Sequence, residues 1–209
     1  MLDGGGRSVS HDGGMRTAGL VLAAGSSRRM GRVKQLLPVG DGTLLDAVLA
    51  SARAARLDEV VLVLGAEAER IAAAVDTTGV RVVVAAGHAE GMGASLRTGV
   101  EALGAPVERV AVLLGDQPRV TAALIDAVLD AHRDSGLPAA AVHSGGVVQP
   151  PVVADRRLWP RLLAASGDTG LRSVLRAAPD EVAMLSVGDV AVDVDTPDDY
   201  RRLLMTEVP

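Results

Sequence analysis

Apolar residues along this chain come in short dense runs, separated by stretches with a different rhythm. Residues 20–23, 59–64 (EVVLVL), 80–85 and 109–114 (RVAVLL) are almost continuously apolar, the pattern of strands buried on both faces. Between them, Leu44, Leu45, Val48 and Leu49 recur at helical spacing behind Thr43, predicting a capped helix through about Arg56. Helices are also predicted over 68–75, over 91–103 and, behind a Thr121 cap, over 122–132. Strand and helix thus alternate four times, which points to an α/β fold of three α/β/α layers around a mostly parallel sheet.

The second half is looser. Residues 139–143 and 147–153 read as strands around the Ser144-Gly145-Gly146 turn, a late antiparallel strand pair. Two short helices are expected around 155–164 and 169–177, then strands at 182–186 and 190–194. A closing helix at 197–204 carries Pro197 at an N-terminal position. No repeat and no long linker divides the chain, so one domain is expected over 17–205. Residues 1–16 are Gly-rich, polar and without an apolar signal core, and are expected to form a disordered tail; Met15 is a second candidate start.

Composition narrows the function classes. The 209 residues are 48% apolar and 22% charged, enough chain to bury a core without cross-links. The absence of cysteine excludes disulfides and thiolate metal sites, and fits a cytoplasmic location. A net charge of −5 argues against a nucleic-acid or anionic-membrane partner, and no apolar run reaches membrane-spanning length. With only Trp159 and Tyr200 as aromatics, there is no platform for stacking single-stranded nucleic acid.

Against this acidic background one stretch stands out. After the first strand the chain breaks at Gly25 into a small-residue loop, and Arg28, Arg29, Arg32 and Lys34 follow, with no acid between Asp12 and Asp41. Ligands of open α/β sheets sit outside the carboxyl ends of the strands. A basic island at such an end suits a phosphorylated ligand: Gly25, Ser26 and Ser27 let backbone N–H groups approach phosphate oxygens, while Arg28, Arg29 and Lys34 neutralise charge. Neither a Walker motif nor a G-x-G-x-x-G fingerprint is present. At the end of the fourth strand, Asp116 in Gly115-Asp116-Gln117-Pro118 offers a hard oxygen ligand or, alternatively, a turn former. Asp195 precedes Thr196-Pro197; if Thr196 caps the closing helix, Asp195 is free for a metal. Gly91, Met92, Gly93 and Ser95 open a helix where glycines permit close approach of a base or ribose. His11, His88, His132 and His143 are scattered and receive no catalytic role.

Together these residues resemble a known family. Residues 22–31 (LAAGSSRRMG), with Lys34 and Leu37-Pro38, are similar to the signature of the MobA-like nucleotidyltransferases. Gly91-Met92-Gly93-Ala94-Ser95-Leu96, Leu114 to Pro118, Ser166-Gly167-Asp168 and Asp193-Val194-Asp195-Thr196-Pro197 continue the likeness in order. The nearest branch resembles the molybdenum cofactor cytidylyltransferases. The resemblance implies a Rossmann-like nucleotidyltransferase fold and transfer of a nucleoside monophosphate to a phosphorylated acceptor. The donor would be CTP, the acceptor molybdopterin, the cofactor Mg²⁺, and a molybdenum hydroxylase a possible client. It further implies that Asp116 and Asp195 hold the metal and that Arg29, Lys34 and Asp116 act catalytically. Leu22, Ala23, Ala24, Gly25, Ser27, Arg28, Gly91, Met92 and Ser95 would join them around the nucleotide, with Met92 more a packing than a recognition residue. Gln149 and Asp168 fall on the acceptor side, where the branch's Gly-His-Pro is replaced by Gln149-Pro150-Pro151. Two other readings stay open: a guanylyl- or other nucleotidyltransferase with a different small acceptor, and a non-catalytic accessory protein that binds and delivers cofactor.

Overall fold

The computed structural model describes residues 15–167, 170–188 and 193–205. Strand β1 (Arg16–Ala23) is followed by a two-strand ribbon, β2 (Pro38–Val39) and β3 (Gly42–Thr43). Helix α1 (Leu44–Ala54), β4 (Glu59–Leu64), α2 (Ala68–Ala74), β5 (Val80–Val84), α3 (Met92–Ala102), β6 (Val107–Leu114) and α4 (Ala122–Ser135) complete the alternating half. Strands β7 (Ala139–Ser144) and β8 (Val147–Asp155), helices α5 (Trp159–Leu163) and α6 (Gly170–Arg176), β9 (Val182–Ser186) and α7 (Pro197–Leu204) follow.

Apart from the β2-β3 ribbon, the strands form one sheet in the order β5-β4-β1-β6-β8-β7-β9. All neighbours are parallel except at β8, which runs antiparallel to both β6 and β7. Alternation along β1 divides the core into two layers. Ala18, Leu20 and Leu22 pack under α3, α5 and α6, whereas Val21 and Ala23 face α1, α2 and α4. A third cluster, containing Met30, Leu37, Leu44, Val194 and Leu203, seats α7 against the loop that follows β1.

Local chemistry explains the element ends. Thr43 and Asp46 form a reciprocal capping box at α1, and Thr196 with Asp199 does the same at α7. The helix expected around 155–164 is shorter than its apolar spacing suggests. Asp155 still pairs with Arg109 as the last residue of β8, and its carboxylate accepts from the backbone and guanidinium of Arg157, so helix begins only at Trp159. Of the tail expected over 1–16, Met15 and Arg16 are described, and Arg16 opens β1. Of the strand expected at 190–194, Asp193 and Val194 are described and neither lies in a strand.

Candidate active site

The carboxyl ends of β1, β4, β5 and β6 meet at one rim, and antiparallel β8 brings its beginning, rather than its end, to the same place. A cleft of ≈ 690 Å³ crosses this rim. Sheet order lays out its contents: His88 and Ala89 follow β5, Ala24 to Lys34 follow β1, Asp116 follows β6, and Gln149 and Pro150 belong to β8.

Lys34 is the centre. Its Nζ donates to Asp116 Oδ2 at 2.5 Å and to Asp195 Oδ1 at 2.8 Å, and Arg29 donates to Asp195 Oδ2 at 2.7 Å. Burial disfavours the Lys34 ammonium, but the two carboxylates outweigh it and hold its pKa above that of an ordinary lysine. At Asp116 burial dominates and pushes the carboxyl up, against the pull of Lys34 and with Asp193 and Asp195 adding to the rise. Asp195 is shifted the other way: burial would raise it, yet Lys34 and Arg29 together hold it below the usual range.

The three charged residues are placed by backbone close contacts. The Gly115 amide donates to the Leu22 carbonyl at 2.9 Å, and a Cβ on Gly115 would lie 2.7 Å from Ala23 Cβ, so only glycine lets β6 deliver Asp116 this close to the basic loop. The Val194 amide donates to the Asp116 carbonyl at 3.0 Å, tying the Asp195 segment to the same strand end. Gln117, which is buried, donates from Nε2 to Asp193 Oδ1 at 2.7 Å and fastens it a second time.

A second buried amide braces the loop itself. Gln35 is 2% exposed; its Nε2 donates to the Ala23 carbonyl at 3.1 Å and the Gly25 carbonyl at 3.3 Å. Its Oε1 accepts from Ser27 Oγ at 3.2 Å, and that hydroxyl accepts from the Lys34 amide at 3.1 Å. Ser27 adopts a left-handed backbone (φ 52°), a conformation that this side-chain network stabilises. Neither Gln35 nor Gln117 is singled out by the sequence; the only signal is an uncharged polar residue inside a basic or acidic loop.

Most of the sequence-predicted residues line the cleft. Leu22, Ala23, Ala24, Gly25, Ser27, Arg29 and Lys34 form one wall with Gly91, Met92 and Ser95, and Asp116, Asp195 and Gln149 complete it. A Cβ on Gly25 would meet nothing within 4 Å, so its face is open to a ligand. Three expectations change. Met92 is 38% exposed and opens onto the cleft instead of packing inside. Gly93 is small because a Cβ there would lie 2.6 Å from Ser166 Cα, so it serves helix–loop packing, not approach of a base. Arg32 leaves the basic island to stack over the Tyr200 ring, 5.7 Å from its centroid. The Arg28 side chain and Asp168 lie outside the described residues.

The donor set suits a hard divalent cation. Asp116 Oδ1 is buried without a hydrogen-bond partner among the described residues, and such an orphaned carboxylate oxygen is costly unless a cation or proton uses it. No group of three or more candidate metal ligands occurs among the described residues. A pair of carboxylates with phosphate oxygens completing the shell is the arrangement Mg²⁺ favours over all-protein cages.

A three-layer α/β sheet with a glycine loop, a lysine and two aspartates at its carboxyl rim defines a nucleotide-handling protein of the nucleotidyltransferase kind. Residues 19–182 match the family model of the MobA-like NTP transferase domain, and the chain belongs to that family. It is 34% identical to a nicotine blue oxidoreductase of Paenarthrobacter nicotinovorans, over 89% of this chain and 95% of that protein. It is 24% identical to the molybdenum cofactor cytidylyltransferase of Escherichia coli, over 87% and 92%. Among solved structures, Rv0371c of Mycobacterium tuberculosis superposes with a TM-score of 0.83 at 35% identity, covering 93% of this chain and all of that one; the same protein has also been solved in complex with manganese.

Proposed function

We propose that this protein is a divalent-metal-dependent nucleotidyltransferase that moves a nucleoside monophosphate from a triphosphate, CTP, to a small phosphorylated acceptor of the molybdopterin class, releasing pyrophosphate. The observation that carries the reading is the junction of Lys34 with Asp116 and Asp195, beside an unpartnered Asp116 oxygen. The cytidylyltransferase relative supports CTP and the acceptor; the manganese complex of Rv0371c supports the metal.

In this reading a phosphate oxygen of the acceptor attacks the α-phosphorus and the bond to the β-phosphate oxygen breaks. Asp116 and Asp195 would hold the cation. When bound, Mg²⁺ neutralises the phosphate oxygens and lowers the charge barrier to an anionic nucleophile. Lys34 lies between the carboxylates, positioned to shift its ammonium onto the triphosphate. Arg29, 72% exposed at the rim, takes the leaving pyrophosphate. Backbone from Leu22 to Gly25 holds the nucleoside. A phosphate nucleophile is already ionised near neutral pH, so no general base is required and the lack of a histidine beside Lys34 among the described residues is no obstacle. Catalysis is then mostly positioning and charge.

A second reading comes from the oxidoreductase relative. Hydride transfer gives no role to a lysine shared by two carboxylates, so transfer at phosphorus is preferred. The test is a screen of CTP, GTP, ATP and UTP with Mg²⁺ against phosphorylated acceptors, reading pyrophosphate release, alongside reduced nicotinamide oxidation. Release with CTP supports the proposal. GTP-only release would move it to a guanylyltransferase, and nicotinamide oxidation without pyrophosphate would replace it with the second reading.

A further inference from the structure

His88 has no part in the chemistry above, yet it lines the cleft. A Cβ on Gly65 would come within 2.6 Å of His88 Cβ and 2.7 Å of the Ala24 carbonyl oxygen, so His88 sits against the end of β4, beside that of β1. In sheet order this is the side of Asp116 away from Gln149 and Pro150. With phosphates at Lys34 and the acceptor toward β8, the nucleobase is left with the His88 side.

The tautomer of this ring follows from its partner. Nδ1 lies 3.0 Å from the Ala85 carbonyl oxygen. A carbonyl only accepts, so Nδ1 carries the proton. A neutral imidazole has a single N–H, which leaves Nε2 a pure acceptor.

We infer that His88 Nε2 is the base-reading group of the site and accepts a hydrogen bond from the exocyclic amino group of the donor nucleobase. This rests on the nucleotidyl-transfer reading and adds its specificity. The amino group of cytosine or adenine is a donor at the position where uracil or hypoxanthine presents an oxygen acceptor. Opposite a fixed acceptor, the amino base gains a hydrogen bond and the oxo base meets repulsion. The ring is held by the Ala85 contact and does not need to reorganise to discriminate.

The test is calorimetric titration of the full chain with CTP, UTP, ATP and ITP in the presence of Mg²⁺, for the wild type and for His88→Phe and His88→Ala. In whichever amino/oxo pair binds more tightly, the wild type is expected to favour the amino nucleotide about 10-fold, the worth of one net hydrogen bond. Both variants are expected to bring the ratio below about 3-fold by weakening the amino nucleotide. A ratio unchanged in the variants, or a wild-type preference for the oxo nucleotide, overturns the assignment while leaving the transferase reading intact. Failure of all four nucleotides to bind folded wild type overturns both. A readout on the wild type alone guards against misfolded variants: the ¹⁵N resonance of His88 Nε2 should move on adding CTP or ATP and not UTP or ITP, and an unmoved resonance also refutes the proposal.

Discussion

The ammonium of Lys34 donates to the carboxylate of Asp116 at 2.5 Å, across 82 positions of sequence. This contact joins the loop after β1 to the end of β6, and Asp195 completes it from a third segment. The side chains are only partly exposed, at 12%, 18% and 28%. Lys34→Met therefore strands Asp116 and leaves Asp195 with Arg29 alone, and is expected to cost about 1–3 kcal/mol, below the figure for a fully buried pair because water still reaches all three. Adding Asp116→Asn to that variant should restore part of the stability in urea unfolding. It should not restore pyrophosphate release, which each single change lowers by about 10²–10³-fold.

Gln35 makes a separate prediction. Gln35→Ala removes the brace shared by Ala23, Gly25 and Ser27, at about 1–3 kcal/mol for the buried groups left unpaired. Because the same brace sets the loop that meets the nucleotide, Mg²⁺·CTP affinity should fall about 10-fold or more under conditions where the variant is still folded. Unchanged affinity would reduce Gln35 to a stability residue.

The α3 entrance is tested by Gly93→Ala. The added carbon would sit 2.6 Å from Ser166 Cα and 2.8 Å from the Ala165 carbonyl oxygen, both backbone neighbours. Overpacking of this kind costs about 1–3 kcal/mol. Thermal unfolding should therefore drop by several degrees, whereas Gly25→Ala, which meets nothing within 4 Å, should leave the melting temperature nearly unchanged.

At the other end of the molecule, His132 is buried with both ring nitrogens lacking hydrogen-bond partners among the described residues, its Nε2 3.5 Å from Asp155. Burial lowers its pKa below that of a free histidine; Asp155 opposes this and the Arg109 guanidinium reinforces it. The unfolded chain thus takes up a proton near pH 6.5 that the folded chain refuses until lower pH. Stability should be flat above about pH 7 and fall as pH drops below 6.5, by at most about 1.4 kcal/mol per unit. Denaturation midpoints from pH 7.5 to 5 check this, and His132→Leu should remove the slope.

Much of this architecture was legible because its signals are local. The run EVVLVL of β4 is buried over all but its first residue, and the Thr43 and Thr196 caps sit where a hydroxyl before a helical stripe predicts them. The basic loop could be read because nothing acidic interrupts it. What escaped is non-local or too short for a period. Two-residue strands β2 and β3 have no alternation to detect, and the insertion of β8 beside β6 depends on pairing between Ala111 and Val153. Gln35 and His88 gain meaning only from carbonyls and a cleft that the fold assembles around them.

In the proposed reaction Asp116 and Asp195 bind one cation together with the nucleotide. The most direct test is electron paramagnetic resonance of Mn²⁺ with CTP, titrated with wild type, Asp116→Ala and Asp195→Ala. The wild type is expected to give a protein-bound Mn²⁺·CTP signal, and each variant to lose affinity by about 10-fold or more. Equal binding by the wild type and either variant would contradict that joint binding.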